Sequence, residues 1–222
     1  MTVSVTSGIV AAALTVGASP YLAALTVRAP DRDDVRWWHW RRTSADRMIC
    51  TALVGGACGM LAGFAAGWTA DWLAFAALAL VVTPLIVIDV EHRRLPDRLV
   101  LSGAAIAAVL LTVAAAFDGD WPALLRAAEA AAASFAVFFA LALISAGSVG
   151  FGDVKLAGLL GGYLGWLGWG FVLPGFLLGF LVGGLVAVCA LVTRRASLRT
   201  HIPFGPSMIV GVLLAGAAYA TF

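Results

Sequence analysis

The chain has 222 residues, of which 62% are hydrophobic, and a mean hydropathy of +1.00. Soluble domains typically hold about 45–50% apolar residues, so the composition excludes an ordinary soluble domain and predicts an all-α protein that crosses a membrane several times. The net charge of +2 says little by itself, and the positions of the charges are more informative.

Apolar runs divide the chain into predicted spans. At about 20 residues per span, the length leaves room for about eight transmembrane helices in one domain, residues 1–222. The first run has no Lys or Arg before it and a basic cluster after it, so we expect a retained span and not a cleaved leader. The predicted spans are residues 3–27, 48–68, 72–89, 99–117, 122–145, 153–168, 170–193 and 205–221.

Basic residues follow the odd-numbered spans, whereas the loops after the second, fourth and sixth spans contain none. By the positive-inside rule, the odd-numbered spans end in the cytoplasm and both termini lie outside. Only Arg126 breaks the alternation. The basic residues are Arg28, Arg32, Arg36, Arg41, Arg42, Arg47, Arg93, Arg94, Arg98, Lys155, Arg194, Arg195 and Arg199, and the acids on the other side are Asp71, Asp118 and Asp120.

The loop from Arg28 to Arg47 mixes three tryptophans with arginines. Such a cluster could stack on nucleic-acid bases, but beside a membrane it is more typical of the lipid headgroup region. We therefore expect the lipid bilayer, and no nucleic acid, as its partner. Cys50, Cys58 and Cys189 lie inside predicted spans without a CxxC pair, which predicts packed thiols and neither a disulfide framework nor a metal site.

Two acids stand at the ends of spans. Asp153 follows the glycine-broken run Gly150-Phe151-Gly152, where an aspartate could simply cap the next helix. Asp89 closes an apolar run, where the helix dipole disfavours a carboxylate, so capping does not explain it. Ionisable residues in such segments are expensive and usually functional. The charge pattern places both acids on the same, cytoplasmic side.

Three motifs around these acids resemble the prepilin peptidases, membrane aspartic proteases of the GxGD class. The first is Asp89 followed, after five residues, by Leu95-Pro96-Asp97. The second is Gly150-Phe151-Gly152-Asp153 with Lys155. The third is Pro203-Phe204-Gly205-Pro206, just before the last span. GxGD alone is a weak signal, but three motifs in the right order at the ends of the right spans are specific.

The resemblance implies an aspartic endopeptidase that needs no cofactor and cleaves the basic leader of type IV prepilin-like membrane precursors. It assigns catalysis to Asp89 and Asp153. We expect Asp153 to be the base, since it precedes a helix, and Asp89 the acid, since it ends one. Asp97 is expected to cap the fourth span, and Lys155 either to pair with Asp153 or to extend to the membrane interface.

Larger members of the family have a long first cytoplasmic loop with paired CxxC motifs, associated with N-methylation of the processed pilin. Here that loop is short and lacks cysteine, so no methyltransferase activity is expected. The resemblance also implies the bacterial inner membrane as the location. The cognate pilin and the oligomeric state stay open.

Two other functions are compatible with parts of the pattern. One is another GxGD protease, such as a preflagellin peptidase. The other is a small transporter that uses Asp89 and Asp153 as proton or cation sites. Transporters typically repeat broken helices in two halves and hold their acids near the midplane, whereas no repeat is evident here and both acids lie at span ends.

Overall fold

A computed structural model describes residues 2–27, 43–145, 150–193 and 203–221. These residues form eight α-helices and no strand, which confirms the all-α prediction. Each helix lies within a few residues of its predicted span. The helices are α1 (Thr2–Thr26), α2 (Ala45–Ala66), α3 (Trp72–His92), α4 (Asp97–Asp118), α5 (Trp121–Ile144), α6 (Phe151–Leu167), α7 (Trp169–Val192) and α8 (Gly205–Tyr219).

Six of these helices, α1 to α5 and α7, are long and apolar enough to cross a membrane, as expected of a multi-pass membrane protein. The other two are shorter than a full span needs: α6 has 17 residues and α8 has 15. At a rise of 1.5 Å per residue they are about 25 Å and 22 Å long, less than a hydrocarbon core of about 30 Å. Eight full-length spans are therefore not observed in the described part of the chain.

The short helices lie in the interior of the bundle. α8 contacts α2, α3, α6 and α7, and α6 contacts α4, α5, α7 and α8. α3 is also mostly buried, whereas α5 and α7 present many large apolar side chains to the surroundings. Helices α3, α6 and α8 thus form the centre, and the two predicted site acids lie on two of these three helices.

Small residues allow α5 and α6 to approach closely. A Cβ on Gly161 would lie 2.6 Å from the Cβ of Ser134, and one on Gly165 would lie 2.4 Å from the Cβ of Ala130. The four-residue spacing of these glycines therefore serves helix packing, as the sequence indicated. This tight pairing holds α6, the helix that carries Asp153, against α5.

Several sequence predictions concern residues outside the described ranges. They include most of the tryptophan-rich loop, the residues just before Gly150, and the basic residues after α7.

Candidate active site

Asp89 lies in the last turn of α3, as predicted. The helix ends at His92, and Arg93 adopts a left-handed conformation (φ 53°) while its N–H donates to the carbonyl oxygen of Asp89 at 2.8 Å. The Asp89 residue is only 5% exposed. This helix end therefore holds the carboxyl group inside the bundle and away from bulk solvent.

Asp153 lies in the first turn of α6, but it is not the N-cap. Gly150 occupies the cap position, with extended backbone, and Asp153 is the third helical residue. Its carboxylate accepts a hydrogen bond from the backbone N–H of Gly150. An acid at this position that reaches back to the cap N–H is one half of a capping box. Asp153 is therefore not itself the cap, which was one of the explanations that the sequence left open.

The start of α8 lies beside Asp89. The backbone N–H of Gly205 points to the Asp89 carboxyl group, and a Cβ on Gly205 would lie only 2.7 Å from Asp89 Oδ2. Even so, Oδ2 is buried and has no hydrogen-bond partner of good geometry among the described residues. Buried polar atoms are nearly always paired, so this oxygen is a candidate to hold a proton or contact a ligand.

The two acids lie at the same end of the bundle, because Leu95 contacts both Gly205, which lies beside Asp89, and Gly152, which precedes Asp153. Residues 89 and 153 are far apart in sequence and come from helices that do not follow one another. Two carboxyl groups close enough to interact disfavour ionisation of both, so such a pair tends to share a proton. The geometry therefore suits acid and base chemistry by a coupled pair.

Leu95 joins the three motifs. A Cβ on Gly152 would lie 2.9 Å from the Cβ of Leu95, and a Cβ on Gly205 would lie 3.4 Å from Leu95 Cδ1. Thus Leu95, from the loop after α3, packs against the starts of both α6 and α8. Glycine at these two positions gives Leu95 room beside the two carboxyl groups.

Asp97 and Lys155 form an ion pair that the sequence did not predict. The distance from Lys155 Nζ to Asp97 Oδ2 is 2.6 Å. Pro96 stands at the cap position of α4, and Asp97 is the first helical residue and makes no side-chain cap bond. The capping prediction for Asp97 is therefore wrong, and so is the pairing of Lys155 with Asp153. Residues two apart on a helix do not face each other, which explains the different partner.

In the third motif, Phe204 makes aromatic contacts next to Gly205. Phe204 packs against Phe180 of α7 and Phe138 of α5, with ring centroids 4.8 Å and 6.4 Å apart. Pro206 is the second residue of α8, where its missing N–H leaves no helical bond unmade. Pro203 lies just before these residues in the loop. The motif thus fixes the start of α8 beside Asp89.

Arg47 and Glu91 form a second ion pair at this end, which the sequence reasoning also missed. Arg47 Nη1 lies 2.8 Å from Glu91 Oε2 and donates to Thr26 Oγ1 at 3.0 Å. The predicted topology could have indicated this pair, because the starts of even-numbered helices and the ends of odd-numbered helices share one end of the bundle. Arg47 thereby ties the end of α1 and the start of α2 to the turn that carries Asp89.

The described residues contain no cluster of three or more His, Cys, Asp or Glu side chains that could hold a metal ion. Cys50, Cys58 and Cys189 are free thiols.

Fold and site together define a multi-pass helical membrane protein with two acids at one end of its core. Comparison with protein families matches residues 73–188, a range that includes both acids, to the type IV leader peptidase family. Because this range covers more than half of the chain, the protein belongs to the type IV leader peptidase family. No solved structure gives a significant match.

Three similar relatives are named prepilin leader peptidase/N-methyltransferase. The Stutzerimonas stutzeri protein is 33% identical over 71% of this chain and 55% of its own length, and the Pseudomonas aeruginosa protein is 33% identical over 73% and 53%. The Bacillus subtilis protein is 29% identical over 75% and 62%. The aligned part thus spans little more than half of each relative.

Proposed function

We propose that residues 1–222 act as one integral-membrane aspartic endopeptidase domain that removes the leader from type IV prepilin-like precursors. The observation that carries this proposal is the meeting of Asp89 and Asp153, from two separate motifs, at one end of the core. Family membership supplies the substrate class, because the similar relatives are named prepilin leader peptidases.

In the proposed reaction, one ionised carboxylate removes a proton from water as the water attacks the scissile carbonyl carbon. The other carboxyl group is protonated and donates a hydrogen bond to the carbonyl oxygen. Proton transfer by positioned groups of this kind typically contributes about 10²–10⁴-fold to rate. A pair that shares one proton provides both functions at once.

Helix ends support an assignment of the two roles. Asp153 lies in the first turn of α6, where the positive end of the helix dipole favours its ionised form. Asp89 lies at the C-terminus of α3, which opposes its charge, and beside the N-terminus of α8, which favours it. At Asp153 the helix end favours the ionised form, whereas at Asp89 the two neighbouring helix ends have opposite effects. We therefore assign Asp153 as the base and Asp89 as the acid.

The charge distribution supports a site that faces the cytoplasm in the bacterial inner membrane, with both termini outside. The site end carries Arg47, Arg93, Arg94, Arg98 and Lys155, whereas Asp71, Asp118 and Asp120 lie at the other end. By the positive-inside rule, the basic end is cytoplasmic. The absence of cysteine from the first loop supports peptidase activity without N-methyltransferase activity, although the relatives' name includes both.

Co-expression with a candidate prepilin tests the proposal. We expect the wild type to shorten the precursor, and Asp89→Asn and Asp153→Asn each to leave it uncut, as read by gel mobility and by mass spectrometry of the new N-terminus. Asp118→Asn, which changes an exposed acid at the opposite end, is the matched control and should cut. An uncut precursor with every variant and with wild type would favour a transporter, and full cutting by either site variant would contradict the two-acid mechanism.

A further inference from the structure

We propose, on the basis of the function proposed above, that Asp97 and Lys155 are positioning residues that hold Asp153 in register with Asp89. The observation is the 2.6 Å ion pair between the first residue of α4 and the first turns of α6. It joins the motif that begins with Asp89 to the motif that contains Asp153.

A second contact joins the segment around Pro96 to the start of α6. Leu95 packs against Gly152, and Asp97 binds Lys155. Gly152 and Lys155 are three residues apart and so lie on one face of α6. Leu95 and Asp97 flank Pro96, whose backbone is extended (φ −63°, ψ 122°). An apolar contact and an ion pair, one on each side of a rigid proline, resist both sliding and rotation of α6.

Rotation of α6 is the motion that matters for chemistry. Asp153 lies between Gly152 and Lys155 in sequence, and its direction is fixed once those two residues are held. If α6 turned about its axis, the Asp153 carboxylate would move relative to Asp89, which is held by a different helix. Small displacements of reacting groups have large effects on rate, on the order of 10²-fold for about 1 Å.

The surroundings of Lys155 distinguish this ion pair from a pair of two exposed side chains. The Lys155 side chain is 16% exposed, and its ammonium lies 4.6 Å from the centroid of the Phe151 ring. It borders a groove between α4, α5 and α6 whose other lining residues are almost all apolar. Asp97 itself is 61% exposed, so its outer side remains in water. A largely enclosed cation with one carboxylate partner depends on that partner for its position.

Steady-state cleavage of a purified prepilin by single and paired variants tests the inference. We expect Asp97→Leu and Lys155→Leu each to lower kcat on the order of 10²-fold with little change in KM, because a positioning residue acts on the catalytic carboxyl groups and not on substrate binding. Lys155→Arg should retain most of the rate. The exchanged pair, Asp97→Lys with Lys155→Asp, should recover at least a tenth of wild-type kcat. The control is Asp118→Leu, an exposed acid at the far end of α4, which should keep wild-type kcat.

The possible outcomes separate this inference from the function on which it rests. Wild-type kcat in both leucine variants, a rise in KM with kcat intact, or no recovery in the exchanged pair would each overturn the positioning role and leave the peptidase proposal standing. Failure of the wild type to cut would contradict the peptidase proposal instead. If a leucine variant does not fold, the exchanged pair decides, together with Asp97→Asn, whose amide oxygen still accepts from lysine and should keep more activity than leucine at that position.

Discussion

The two ends of α3 each hold a buried aspartate, and the two residues differ in their partners. Asp71 precedes the helix, is 9% exposed, and accepts hydrogen bonds from Trp166 Nε1 at 2.8 Å and from Thr69 Oγ1. Asp89 ends the helix, is 5% exposed, lies near a second acid, and leaves Oδ2 without a good partner among the described residues. Burial alone therefore does not identify a reactive acid.

The two aspartates differ in how completely their carboxylate oxygens are hydrogen-bonded. Neutral donors surround Asp71, so its negative charge is stabilised and its oxygens are occupied. Asp89 instead shares its end of the core with a second acid, Asp153, and two like charges raise the energy of the doubly ionised state. A fully bonded buried acid stabilises the fold, whereas an incompletely bonded acid beside a second one retains capacity for chemistry. Variants at each end can test this contrast.

The largest effect is expected at the site end. Asp89→Asn and Asp153→Asn should each lower single-turnover cleavage by at least about 10²-fold, up to about 10⁴-fold, because either change removes one proton-transfer group. The two acids act as a unit, so the double variant should be about as slow as the slower single variant. If the fold loss in rate of the double variant equals the product of the two single fold losses, the acids act independently.

Gly205→Ala should produce the next largest loss of cleavage. The new methyl group would lie 2.7 Å from Asp89 Oδ2 and 3.4 Å from Leu95 Cδ1, so the carboxyl group and the loop after α3 have to move. A loss on the order of 10-fold to 10²-fold follows from a displacement of up to about 1 Å. Gly184→Ala, where a Cβ would meet nothing within 4 Å, is the control. Equal rates in the two variants would contradict the close approach of α8 to Asp89.

Asp71→Ala should reverse the pattern, with lower stability and preserved cleavage per folded molecule. It leaves the buried indole N–H of Trp166 without its acceptor, at a cost of about 1–3 kcal/mol, whereas the Thr69 hydroxyl still donates to the carbonyl oxygen of Ala66. Thermal unfolding in detergent and the kcat of the folded fraction measure the two effects separately. A loss of kcat comparable with that of Asp89→Asn would remove the distinction between the two ends.

Hydropathy predicted the helices well because each apolar run has to satisfy its backbone internally in lipid, and a helix does so. The acids at 89 and 153 were found for a related reason, since charges in such segments are rare. Spacing alone disfavours Asp153 as the partner of Lys155, because residues two apart on a helix do not face each other, but only the packing of α4 against α6 brings Asp97 to the lysine. Likewise, the contact of Gly205 with Asp89 depends on the position of α8 between α3 and α6.

The smallest effect is expected at Glu91, two residues after Asp89. Its ion pair with Arg47 is partly exposed, with side chains 35% and 26% accessible, and such pairs are worth about 0–1 kcal/mol. Glu91→Gln should therefore change the free energy of unfolding by less than about 1 kcal/mol and leave kcat close to wild type, as measured beside Asp89→Asn in the same detergent. Near-wild-type cleavage would confine the chemistry to the two aspartates, whereas a loss like that of Asp89→Asn would mean that a third carboxylate belongs to the site and that the two-acid description is incomplete.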